Sequence, residues 1–252
     1  MKILITGASG LIGQALTTSL KAAGHTTVAA VRREPRRNDE VQWNPKTGVM
    51  AASAFDGVDA VVHLAGAGIG DKRWTSSYKM EILESRTLGT ALLANTMASL
   101  EKKPEVFLSG SAIGIYGVRD DTELSETAEI GHGFLADVCR DWESAAAPAQ
   151  AAGIRTVLLR TGIVLSPKGG ALAKQLPLFK FGLGGRFGNG KQWQSWISIT
   201  DEVNAVIHCS RVCSPKATMT PQKQPKQHSP PRPPMPRFVI TPTASAPPRC
   251  AK

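Results

Sequence analysis

The chain has 252 residues, 42% of them hydrophobic, enough for one large core or two small domains, and no apolar run is long enough to cross a bilayer. A formal net charge of +10 would suggest nucleic acid or an anionic membrane as partner. Eight Lys or Arg and no Asp or Glu lie between 211 and 252, which leaves 22 basic against 20 acidic residues upstream, so neither partner is expected. Cys139, Cys209, Cys213 and Cys250 are scattered, and Cys209 and Cys213 are not spaced as C-x-x-C. Reduced thiols are therefore expected rather than a metal site. The short apolar start, Met1 to Gly13, lacks the pattern of a secretory signal, which gives the expectation of a cytoplasmic protein.

The first predicted element is a buried strand, Lys2 to Thr6, that runs through Gly7, Gly10 and Gly13 into an amphipathic stretch carrying Leu11, Ile12, Ala15, Leu16 and Leu20. A pyrophosphate needs backbone N–H donors at a helix N-terminus and no side chains where the backbone approaches it. Gly7 would allow the tight turn, Gly10 the close approach, and Gly13 the packing of helix on strand. The spacing is G-x-x-G-x-x-G, and a structural turn that binds nothing is the competing reading. Gly24 ends the helix, and a second strand is predicted from Thr26 to Val31. It ends in Arg32-Arg33, where a guanidinium can clamp the 2′-phosphate of NADP and an acid would select NAD. Two arginines favour NADP(H); a solvated basic turn, with Arg36 and Arg37 alongside and Glu34 close by, is the alternative.

Further along, a strand is predicted from Val58 to Ala65, a helix from Thr75 to Leu100, a strand from Glu105 to Ser109 and a helix from Gly133 to Ala152. A strand from Ile154 to Thr161, a helix from Gly169 to Phe181 and another from Thr200 to about His208 complete the series. This alternation predicts an α/β fold, a Rossmann-like doubly wound parallel sheet with helices on both faces. Residues 1–208 are read as the nucleotide-binding domain with a partial substrate region. From Arg211 onward the composition changes: eleven of the 17 prolines fall there, with no glycine and no leucine, and a Pro-rich, basic, disordered tail over 209–252 is expected.

With Thr6-Gly7-x-x-Gly10-x-x-Gly13, His63-x-Ala65-Gly66, Ser109-Gly-Ser111-Ala-Ile-Gly-Ile-Tyr116-Gly117 and Leu159-Arg160-Thr161 in this order, the chain resembles the extended short-chain dehydrogenase/reductases. It is similar to their atypical epimerase branch, of the NAD-dependent epimerase/dehydratase type. Gly70-Asp-Lys-Arg-Trp74, Gly133 to Glu143, Arg160 to Ser166 and Gly188-Asn-Gly-Lys-Gln-Trp193 followed by Ser195-Trp196-Ile197 carry the resemblance to about residue 208. The resemblance implies that Thr6, Gly7, Ser9, Gly10, Leu11, Ile12 and Gly13 hold the pyrophosphate of NADP(H). It likewise implies that Arg32 and Arg33 meet its 2′-phosphate, and that Leu64, Ala65 and Gly66 pass beneath the cofactor. His63 is read as a packed strand-end residue. A small-molecule, sugar-nucleotide-like substrate is implied, and homodimers are a habit of the superfamily.

The superfamily usually works with a Ser or Thr, a Tyr, and a Lys four residues after that Tyr. Here the helix that should carry Tyr-x-x-x-Lys reads Gly133-Phe-Leu-Ala-Asp-Val-Cys-Arg140, and Arg86 stands where an Asn often precedes Gly89-Thr90. Ser111 and Tyr116 remain as candidates to polarise a carbonyl or exchange a proton, with packing beneath the cofactor as the alternative. Arg86, and Lys72 or Arg73, are candidates to bind an anionic substrate. Two functions follow: an NADP(H)-dependent oxidoreductase or epimerase, and a non-catalytic NADP(H) sensor or scaffold that lacks the catalytic pair. Relatives are implied to continue past Ile207 with a strand and helices that complete the substrate side. The expectation here is that residues from about 209 are an out-of-frame or aberrantly spliced ending, with apolar surface left where a lid should pack.

Overall fold

The computed structural model describes residues 1–186 and 188–211, and the backbone of residues 238–240. In chain order the elements are β1 (Lys2–Thr6), α1 (Leu11–Ala22), β2 (Thr26–Val31), β3 (Glu40–Asn44), β4 (Val49–Met50) and β5 (Ala60–His63). There follow α2 (Ser76–Ser99), β6 (Val106–Ala112), α3 (Phe134–Ser144), α4 (Ala147–Ala151) and β7 (Arg155–Thr161). The last are β8 (Ile163–Leu165), α5 (Gly170–Lys180), β9 (Gln194–Ser198), α6 (Ile199–Ser210) and β10 (Phe238–Ile240).

Seven strands form one sheet in the order β4-β3-β2-β1-β5-β6-β7, parallel throughout except for the short edge hairpin of β4 on β3. The order turns back at β1, so the ends of β1 and β5 open a crevice there, where doubly wound sheets place ligands. A smaller parallel sheet, β10-β9-β8, stands beside it.

The two faces of the sheet separate the apolar residues by strand alternation. Leu4, Val61 and Phe107 point to one side and pack with Trp43, Leu93, Met97 and Ala149. Ile3, Ile5, Val62, Val106 and Leu108 point to the other side and meet Leu16 and Leu20 of α1 and Val203 and Val206 of α6. Each such side chain contributes about 1.5–3 kcal/mol on full burial. The central strands are therefore fixed by apolar surface on both faces, which places the turn after β1 on rigid support.

Most expected elements are found, with three physical differences. The helix expected over 133–152 breaks at Ala145–Ala146 into α3 and α4, with Pro148 in the first turn of α4, where its missing N–H costs nothing. β3, β4, β8 and β9 are strands that had not been predicted. α6 starts one residue earlier than expected and continues through Ser210; its N-cap is Ser198, whose hydroxyl accepts Asp201 N–H at 3.0 Å. The expected tail over 209–252 lies outside the described residues from 212 onward, apart from the backbone of β10, and so does the expected altered reading frame. Among the described residues no helix is long and apolar enough to cross a membrane. α5 buries no residue, and Leu178, Phe179, Phe181 and Leu183 on and after it are exposed.

Candidate nucleotide cleft and its polar network

Gly7 has φ +69°, a left-handed conformation that a side chain rarely adopts, and a Cβ there would lie 2.8 Å from the carbonyl carbon of Leu64. A Cβ on Gly13 would overlap the Gly7 carbonyl oxygen and lie 2.7 Å from Ala8 Cα, so α1 packs directly on the turn. Gly10 is the exposed N-cap of α1 and has room, with only the Gly7 oxygen 3.3 Å from a Cβ position. The α1 N-terminus has no side-chain cap and no acid in its first turn. Its amides are left for an anion, and the residues fit a pyrophosphate.

Behind this turn, Thr6 and Leu64 do different work from the glycines. Thr6 is fully buried; its hydroxyl lies 2.6 Å from His63 Nδ1 and also accepts the Ala65 N–H at 3.3 Å. It ties the β1 turn to the β5 turn. His63 is fully buried against the edge of Trp43, and burial drives its imidazole down to about 3, so the ring is neutral. Ser9 is exposed at the turn, and its carbonyl accepts Gln14 Nε2 at 2.6 Å. Leu64 and Ala65 are half-buried and Gly66 is exposed.

The arginines after β2 are in unlike states. Arg33 forms a bidentate pair with Glu40, at 2.8 and 2.7 Å, and Arg37 reaches the same carboxylate at 3.2 Å. The hydrogen bonds from Arg33 and from the Arg36 backbone hold Glu40 down at about 2. Arg32 is exposed and, among the described residues, has no side-chain hydrogen bond or ion pair.

At the end of β6, Ser111 and Tyr116 enter one network. The Ser111 hydroxyl donates to Glu143 Oε1 at 2.5 Å, and Arg160 donates to the same carboxylate from Nε (2.8 Å) and Nη2 (2.9 Å). Arg160 Nη1 donates to the Tyr116 phenol oxygen at 3.0 Å and to the Glu126 carbonyl at 2.8 Å, and the guanidinium sits over the Tyr116 ring. Glu143 raises the pKa of Arg160, which stays charged. Cys139, one turn before Glu143 on α3, has its thiol pKa raised by burial and by the Glu143 charge.

Sequence reasoning had not assigned roles to Glu143 and Arg160. A usable signal is the parallel register, which sets Arg160 directly opposite Ser111 on the neighbouring strand. Arg86, on α2, is half-buried between Gly66 and the Trp142 ring, and the Glu143 carboxylate is occupied by Ser111 and Arg160. Lys72 and Arg73 lie outside this cleft, in a shallow pocket with Thr75, Ser77, Tyr78 and Glu81 at the start of α2.

Residues 3–217 match the model of the NAD dependent epimerase/dehydratase family. Epimerase family protein Mb2239 of Mycobacterium bovis is 46% identical over 204 residues, covering 81% of this chain and 67% of that protein. A nucleoside-diphosphate sugar epimerase from Corynebacterium glutamicum superposes with a TM-score of 0.74 at 41% identity, over 83% of this chain and 43% of that one. Human epimerase family protein SDR39U1 (isoform 2), solved with NADPH, superposes with a TM-score of 0.75 at 30% identity, over 84% of this chain and 70% of that one. The chain thus spans about two thirds of the M. bovis protein's length and less than half of the C. glutamicum structure's. On the sheet order, the glycine turn and these likenesses together, the chain belongs to the NAD dependent epimerase/dehydratase family.

Proposed function

We propose that the protein is an NADP(H)-dependent oxidoreductase or epimerase acting on a small, sugar-nucleotide-like substrate in the cleft between the β1 turn and the end of β6. The observation that carries the reading is the coincidence of an uncapped glycine turn with a polar network at the neighbouring strand end. Gly7, Gly10 and Gly13 would admit the pyrophosphate to the amides of Leu11 and Ile12, with Thr6 bracing the turn and Ser9 at its rim. Arg32, with its side chain unengaged, would meet the 2′-phosphate; Arg33 stands behind it, its charge answered by Glu40. Leu64, Ala65 and Gly66 would line the floor. The NADPH in the human relative's structure supports the same cofactor here.

When bound, NADP(H) supplies or accepts a hydride at nicotinamide C4. Ser111 donates its hydrogen to Glu143, so toward a substrate hydroxyl its oxygen is an acceptor. A proton leaving that hydroxyl passes to Ser111 Oγ as the serine proton moves to Glu143, and the two hydrogen bonds from Arg160 hold the carboxylate in place to receive it. Tyr116 has its oxygen engaged by Arg160, which leaves its own hydrogen to donate. Arg86 would bind an anionic substrate group.

The second reading, an NADP(H) sensor or scaffold, is favoured by one observation: Cys139 and its neighbours bring neither phenol nor ammonium from α3 to the cleft. NADPH consumption across a panel of carbonyl compounds and nucleotide sugars separates the two. Turnover that falls at least about 100-fold in Ser111→Ala and Glu143→Gln, with NADPH affinity unchanged, supports the enzyme. Tight NADPH binding without turnover on any panel member supports the sensor.

A further inference from the structure

Arg86 is a half-buried cation against the turn after β5, without an acidic partner among the described residues. It rises from the middle of α2, and its guanidinium carbon lies 5.1 Å from the centre of the Trp142 ring. A Cβ on Gly66 would lie 3.4 Å from its Cζ and Nη1, and Gly66 itself is exposed, so the guanidinium forms the floor beneath an open stretch of backbone. Its hydrogen bond runs from Nη1 to the Ile82 carbonyl of its own helix, at 3.0 Å. Among the described residues that leaves Nε and Nη2 without acceptors.

The carboxylate that α3 brings to the cleft cannot serve. Glu143 is filled by Ser111 and by two donors of Arg160. Asp137 on the same helix pairs with Arg140, and Glu81 on α2 pairs with Lys72. Burial accordingly lowers the Arg86 pKa, and its ionisable neighbours, the Cys139 thiol, the Tyr78 phenol and the neutral His63 imidazole, bring no negative charge to it. A guanidinium held this way costs stability until a negative charge arrives.

We propose that Arg86 receives a carboxylate of the substrate, so that the site is built for an acid and not for a neutral sugar or alcohol. The proposal rests on the reading of this cleft as the substrate site. The charge balance selects the class. Arg160 is neutralised by Glu143, and Lys72 and Lys79 lie over the rings of Tyr78 and Phe134 toward the start of α2, so Arg86 offers one positive charge. A carboxylate matches one charge and the planar fork of two remaining donors. A phosphate or diphosphate would bury negative charge without an answer.

UDP-glucuronate and UDP-glucose differ at one carbon, a carboxylate against a hydroxymethyl, and calorimetric titration of both into the full chain, with and without saturating NADPH, tests the assignment. The glucuronate is expected to bind at least about 10-fold tighter, as fits a charge-assisted pair. Arg86→Met is expected to remove the difference and Arg86→Lys to keep part of it. Because the free site holds an unanswered charge, Arg86→Met is also expected to melt at the same temperature as the parent or higher. Equal affinities, binding of neither sugar nucleotide, a preference that survives in Arg86→Met, or a fall in its melting temperature would each overturn the proposal. Failure of NADPH alone to bind counts against the cofactor reading instead, since the carboxylate comparison is also made without it.

Discussion

His63 offers a measurement of the packing beneath the cleft. Its ring is fully buried between Thr6 and Trp43, with Nε2 turned toward the backbone of α2, and its pKa is driven by burial from 6.5 to about 3. The folded value lies below the unfolded one, so the unfolded chain binds the extra proton first and stability falls as pH falls. The stabilisation is complete above 6.5 and is lost progressively down to about 3. Between about pH 8 and pH 5 the loss covers roughly 1.5 pH units, which at 1.36 kcal/mol per unit is about 2 kcal/mol. Urea unfolding at these two pH values should show that loss in the parent and a much smaller one in His63→Gln. Proton NMR of the parent should show an imidazole that stays neutral across the same range. Equal pH dependence in both proteins, together with an imidazole that titrates near 6.5, would refute the burial argument.

The glycine turn makes a paired prediction: Gly13→Ala drives a methyl into backbone that cannot yield and should cost about 1–3 kcal/mol of stability along with NADPH binding. Gly10→Ala has room and a φ of −77°, so it should leave the melting temperature nearly unchanged while weakening NADPH binding at least about 10-fold, because the methyl stands where the pyrophosphate approaches. Calorimetry and thermal melts on the two variants decide this, and intact binding in Gly10→Ala would count against the cradle. Glu40 sets an acid limb. Its folded pKa of about 2 lies below the ordinary 4.5, so its contribution is present above 4.5 and drains as pH falls toward 2. Glu40→Gln should flatten stability over that window, and an unchanged acid limb would show that the Arg33 pair does not hold the turn.

The parts of the fold written in local sequence were legible. The β1 strand, the turn and α1 are encoded by an apolar run, three glycines and a helical stripe within about twenty residues, and α2 begins and ends beside its predicted bounds, with Thr75 as N-cap. What escaped depends on distant pairing. β3, Glu-Val-Gln-Trp-Asn, is too short and too polar to stand out, and becomes a strand because β2 supplies its ladder and Trp43 reaches the core under α2. The candidate site shows the same division. The glycines and Arg32 could be read from the turn, whereas the partnership of Ser111, Glu143, Arg160 and Tyr116 needs the β6–β7 register and the seating of α3 over it. The pairing of Arg33 with Glu40 was not legible either, because the carboxylate lies seven residues on, beyond a turn that the sequence does not announce.

In the proposed function, the turn after β1 and the arginine after β2 together hold NADP(H). Calorimetric titration of NADPH and NADH into the full chain and into Arg32→Ala tests it most directly. NADPH should bind at least about 10-fold tighter than NADH, and Arg32→Ala should bring the two together, as the loss of one charge-assisted contact to the 2′-phosphate would. Equal affinity for both in the parent, or an undiminished preference in Arg32→Ala, would contradict it.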